Sequence, residues 1–221
     1  MTFSTEWEQL YQDNTHLSIW PWSDMVSYVM RYARPLNKSC RVLELGCGAG
    51  ANIPLFKHLG VQYHAIDGSE TAVKMLAGQF PEYSSTIKVG DFTKELPFDG
   101  EFDLIIDRSS LTCNSTSSIK ECMKLVKARL APQGKFIGID WFSTDHSDYP
   151  KGRPSGDAHT KNAFPDGPFK GLGAIHFFDK NHLVEILEGF NISHLEHKHL
   201  STEIPENELV IATWNFLATK E

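Results

Sequence analysis

No apolar run in the chain approaches the roughly 20 residues that span a bilayer. The first residues, Met-Thr-Phe-Ser-Thr-Glu-Trp, offer no basic segment followed by an apolar stretch, so no secretory leader is expected. Cysteine is scarce: Cys40, Cys47, Cys113 and Cys122 are the only four, and none are spaced as CxxC. The expectation is free thiols in a reducing, cytoplasmic compartment, with neither a disulfide framework nor a cysteine-built zinc site. Clusters of Lys and Arg are missing as well. Twenty-one basic residues stand against 28 acidic ones, a formal net charge of -7. Such a chain repels a phosphate backbone, which ranks nucleic acid low and a small molecule high as partner. Internal repeats and low-complexity tracts are also absent.

What is present is an ordinary globular composition, 41% hydrophobic and 22% charged. At 221 residues the chain is long enough for a single domain with its own core. Short apolar runs alternate with helical patterns, as in βαβ units around a parallel sheet. Strands are expected at 41–45, 62–66, 86–89, 102–106 and 135–139. Helices are expected at 51–59, 71–79 and 118–130. After Ser143 the pattern breaks into a stretch rich in Gly, Pro, Asp and His. A loop of that length is read as a lid or substrate loop over 143–176. A helix at 179–187 and strands at 191–197 and 209–217 complete the chain. Residues 1–38, with Trp7, Tyr11, Trp20, Trp22 and a helix at 23–32, read as a helical cap on the main sheet.

The most informative stretch is Val42-Leu43-Glu44-Leu45-Gly46-Cys47-Gly48-Ala49-Gly50. Glycines directly after a strand permit a sharp turn and let a ligand approach the backbone. The helix that follows presents free N–H groups. Gly46, Gly48 and Ala51 also satisfy the loose dinucleotide fingerprint, a weak signal alone. Glu44 decides between the two. A carboxylate two residues before the first glycine would repel a pyrophosphate and suits a ligand that carries positive charge.

With Glu44, Gly46, Gly48 and Gly50 filling E/D-x-G-x-G-x-G, the sequence resembles the class I S-adenosylmethionine-dependent methyltransferases. The resemblance covers residues 41–140. It implies a doubly wound, mostly parallel seven-stranded α/β sheet, Rossmann-like, with helices on both faces. It also implies S-adenosylmethionine, which carries an ammonium and a sulfonium and no phosphate, as cofactor. The first turn and the helix after it then contribute Glu44, Gly46, Cys47, Gly48 and Asn52 to the cofactor site. In His64-Ala65-Ile66-Asp67-Gly68-Ser69, Asp67 sits where a carboxylate accepts from ribose hydroxyls, with Gly68 and Ser69 beside it. Ser69 also reads as a helix cap. Asp91 is placed at the adenine amino group and Phe92 against the base. Asp107 and Arg108, at the exit of the fourth strand, border the methionine portion; Arg108 reads equally as a structural ion pair with Asp107 or another acid. Trp22, with Trp20 and Tyr11, is expected to close over the donor.

Methyl transfer from a sulfonium is an in-line displacement, so alignment dominates. A base is needed only for an acceptor that arrives protonated. The candidates are His146, His159 and His176, in or beside the long loop, because histidine titrates near neutrality. Asp145, His146, Asp157 and His159 match no metal-ligand spacing, and residues 191–199 read as a strand with one exposed face; no metal is expected. The reading is a methyltransferase acting on an oxygen or nitrogen of a small molecule. A non-catalytic sensor of S-adenosylmethionine, an NAD-dependent oxidoreductase and a nucleic-acid methyltransferase are the competing readings.

Overall fold

The computed structural model describes residues 5–15, 17–34 and 36–220; the outermost parts of the expected 1–38 cap, Met1–Ser4, and single positions 16 and 35 lie outside them. Strands β1 (Arg41–Leu45), β2 (Gln62–Asp67), β3 (Ile87–Val89), β4 (Phe102–Arg108) and β5 (Leu130–Phe142) run parallel, and β9 (Phe190–Ser201) and β10 (Val210–Lys220) close the sheet as an antiparallel pair. The order is β3-β2-β1-β4-β5-β10-β9, so the chain reverses direction across the sheet between β1 and β4. That switch point, at the carboxyl ends of the strands, is where open α/β sheets bind ligands.

Strand alternation sorts the apolar residues onto two faces. Leu43, Leu45, Ile105, Phe136 and Phe216 pack with α5 (Thr116–Arg129) and α6 (Lys180–Ile186). Val42, Leu104, Ile106, Ile137 and Ile139 pack with α2 (Ser23–Tyr28), α3 (Ile53–Leu59) and α4 (Glu70–Gln79). Caps fix where helices begin: the Ser69 hydroxyl accepts the Ala72 N–H, and Ser115 accepts that of Ser118. Helix α1 (Thr5–Gln12) lays Trp7 and Tyr11 against Ala49 and Ala72, across the glycine turn and the start of α4.

The segment 143–176 is more ordered than a lid loop. It carries a second, antiparallel sheet of β6 (Arg153–Ser155), β7 (Asp157–Asn162) and β8 (Ile175–His176). Phe164, Phe169 and Ile175 of this segment form an apolar cluster with Phe177 just beyond it. Strands β6 and β7 are mostly polar, so no apolar alternation announced them; the hydrogen-bonded ladder and the phenylalanines hold them. Among the described residues no helix is long and apolar enough to cross a membrane.

Candidate active site

A cavity of about 980 Å³ opens at the carboxyl ends of β1, β2, β4 and β5. Its floor is the turn after β1. Gly46 and Gly48 adopt φ of 65° and 49°. A Cβ on Gly46 would lie 2.2 Å from Ser110 Oγ, and one on Gly48 2.4 Å from Tyr11 Oη. Conformation and space thus both demand glycine here.

Glu44 ends β1 beneath this turn and is almost fully buried. It accepts from Asn52 Nδ2 at 2.8 Å and from Tyr63 Oη at 2.5 Å. Both partners are neutral. Burial pushes its carboxyl up to about 7, opposed by those two hydrogen bonds and reinforced by the charges of Asp107 and Asp67. Among the described residues no cationic side chain pairs with it. A buried carboxyl with no countercharge fits a cationic ligand and would repel a pyrophosphate. Asn52 lines the same cavity, and its Oδ1 is buried without a hydrogen-bond partner.

Asp67, at the end of β2, ties the floor together. Its Oδ2 accepts the Gly48 N–H at 2.7 Å and its Oδ1 the Ser69 N–H at 2.9 Å. Each oxygen keeps a further lone pair for a ligand hydroxyl. Asp91 accepts from the N–H and hydroxyl of Thr93 and pairs with Lys94 at 3.2 Å. Phe92 is buried beside it, and both line the cavity with Cys47 and Gly68.

Arg108 leaves β4 and pairs with Asp140 at 3.0 Å, not with Asp107. Its guanidinium lies 3.9 Å over the ring of Trp22, which lines the cavity too. Asp140 was not foreseen. It sits where β5 slips register against β10, with φ of 57°, its N–H on Asn215 Oδ1 and its carbonyl on Ser109 Oγ. The bulge turns its carboxylate into the cavity, a displacement that no apolar pattern encodes. Asp24 and Lys198 join this charged wall, paired with each other.

Two expected cofactor residues lie outside the cavity. Asp107 is fully buried, accepting from Trp141 Nε1 at 2.7 Å and Leu111 N–H at 3.1 Å; it secures the turn after β4. Burial raises its carboxyl to about 7. Ser69 spends its hydroxyl on capping α4 and on Glu8. Trp20 is 70% exposed and does not line the cavity, whereas Trp7 and Tyr11 do.

The three histidines part company. His146 lines the cavity, buried against Phe142 and Phe169. Its Nδ1 accepts the Asp148 N–H at 3.1 Å, so the neutral ring carries its proton on Nε2 and acts as a donor. His159 and His176 do not line the cavity. They cluster with His182 between β7, β8 and α6: His159 stacks on His182 at 3.6 Å, and His176 Nε2 lies 2.9 Å from His182 Nε2. Burial, with the charges of His182 and His159, holds His176 down at about 3.

Comparison with known proteins joins this geometry. A crystal structure of an S-adenosylmethionine-dependent methyltransferase from Methanosarcina mazei superposes with a TM-score of 0.69 at 21% identity, covering 91% of this chain and 98% of that one. The glycopeptide N-methyltransferase MtfA, crystallised with sinefungin, gives 0.62 at 15% identity over 90% and 86%. A structure from Rhodobacter sphaeroides described as a putative Zn-dependent alcohol dehydrogenase gives 0.68 at 14% over 98% of each chain. At these identities the likenesses establish the fold alone. No curated protein matches the chain in sequence. A family model described as a methyltransferase domain matches residues 11–197. The chain therefore belongs to this family of methyltransferase domains.

Proposed function

We propose that the chain transfers the methyl group of S-adenosylmethionine to an oxygen or nitrogen of a small, partly apolar molecule. The observation that carries this reading is the continuity of one cavity. It runs from Glu44 and Asp67 to a second lobe walled by Phe142, Phe169, Leu172, Ile175 and Ile211. Its volume stands at the upper end of the roughly 300–1,000 Å³ of small-molecule sites, enough for a cofactor and a modest acceptor together. Glu44 takes the cationic end of the cofactor, Asp67 its ribose, and Asp91 with Phe92 its base. S-adenosylmethionine brings an already activated methyl, so the protein's task is to align and desolvate the acceptor. The phenylalanine cluster of 143–176 excludes water from the second lobe. His146 Nε2–H is the donor that orients a polar group of the acceptor.

The test uses labelled S-adenosylmethionine with a panel of small phenols, alcohols, amines and carboxylates. The expected result is transfer to a subset of them, with Phe169→Ala and His146→Ala raising KM for the acceptor more than for the cofactor. Transfer to nucleic acid alone, or cofactor binding with transfer to no acceptor, overturns the proposal; the latter outcome describes a sensor.

A further inference from the structure

We propose that Asp145, His197 and His199 form a binding site for a divalent transition-metal ion on the rim of the acceptor lobe. In the sequence, residues 191–199 read as an alternating strand, and Asp145 groups with His146, Asp157 and His159 at a spacing that matches no metal-ligand pattern. The fold brings Asp145, His197 and His199 together. His197 and His199 are two apart on β9 and therefore point to the same face. Asp145 leaves the end of β5, two strands away in the sheet, and reaches that face. Asp145 Oδ2 lies 3.2 Å from His199 Nε2 and 3.9 Å from His197 Nε2, and the three ligand atoms all fall within 4.8 Å of one another.

That spacing suits a shared ion. Ligand atoms about 2.0–2.1 Å from a tetrahedral ion stand about 3.3 Å apart. The contacts here bracket that separation, and the exposed side chains of Asp145 and His199 can adjust toward it. The third ligand, His197, is held in place. The His197 ring stacks flat on Trp214, 3.8 Å between centroids and 5° between planes. Ser143 Oγ lies 2.8 Å from His197 Nε2 and accepts the Asp145 N–H at 3.1 Å. A bound ion takes the place of the Ser143 hydroxyl at that nitrogen, while the stacked Trp214 keeps the orientation of the ring. The neighbouring ammonium does not compete, because Lys198 pairs with Asp24.

The donor set names the class of ion. Two imidazole nitrogens and one carboxylate, with no thiolate, suit Zn²⁺, Co²⁺, Ni²⁺ or Cu²⁺ more than Ca²⁺ or Mg²⁺. Three protein ligands leave a position open for water or an anionic group. His199 itself lines the cavity, so the site adjoins it.

The experiment titrates the purified full chain with Zn²⁺ by calorimetry and with Co²⁺ by visible absorption, without cofactor. The expected result is one saturable ion per chain and a Co²⁺ spectrum of low coordination number. His199→Ala and Asp145→Asn should each weaken binding by at least about tenfold, since losing a ligand costs no less than losing an outer-shell partner. His58→Ala, at an exposed histidine elsewhere, should leave it unchanged. Absence of saturable binding, or equal binding by all variants, overturns the proposal. Asp145→Asn is isosteric and sits on an exposed loop, so it stays informative if a histidine variant folds poorly. The readout is the ion alone, so its failure leaves the methyl-transfer reading standing, and the reverse holds too.

Discussion

If Glu44 holds the cationic end of the cofactor as proposed, its charge is coupled to that of the ligand. With its carboxyl pushed up to about 7, roughly half the molecules hold it protonated at neutral pH. An opposite charge within ~4–6 Å lowers a carboxyl by about 1–3 units. With a lowering of about two units, cofactor binding expels roughly 0.5 proton at pH ~7 and roughly 0.8 at pH ~6. Integrated over pH, the apparent affinity for S-adenosylmethionine rises roughly sevenfold between pH ~6 and ~7.5. Measurements stay below that limit because an amino-acid amine sheds its own proton near ~8. Calorimetry in two buffers of different ionisation enthalpy gives the proton count directly. Glu44→Gln keeps the shape, should bind more weakly, and should release almost no proton. Asp107 is also raised to about 7, but it lies outside the cavity and accepts from protein donors only. The Gln variant therefore removes the titration of Glu44 itself. Wild-type binding with no proton release at pH ~6, or equal release by the variant, would refute the electrostatic reasoning.

Gly48→Ala should cost about 1–2 kcal/mol from its left-handed backbone alone, plus the displacement of Tyr11 Oη from a Cβ 2.4 Å away. For a chain of this size that lowers Tm by about 2–8 °C, and cofactor affinity should fall with it; an unchanged melting curve contradicts the packing described for α1. His176 has a folded pKa of about 3, below its unfolded value near 6.5. The sign follows: its stabilisation is complete above ~6.5 and is lost as pH falls toward ~3, of order a few kcal/mol. Denaturant titrations of His176→Asn across that window should show a flatter pH dependence than wild type, and identical slopes would reject the buried histidine cluster as the cause.

Local chemistry made much of this protein legible in its sequence. The apolar strands β1, β2, β4 and the core of β5 announce themselves because they are buried on both faces. The glycine turn is equally plain, because positive φ and close approach leave no other residue type. Glu44 stood out because a carboxylate beside that turn selects a cation over a phosphate. Other features depend on partners distant in the chain. Asp107 and Ser69 carry the right residue types at the right offsets, but Trp141, Leu111 and Glu8 claim them. Asp140 reaches the cavity through a bulge against β10. Of three similar histidines, only His146 meets the cavity, because β7 and β8 carry His159 and His176 to α6 instead. Strand period and turn sterics act within a few residues and so are written in the chain; hydrogen-bond partners, burial and charge neighbours are set by which strands lie side by side, and only the folded sheet decides that.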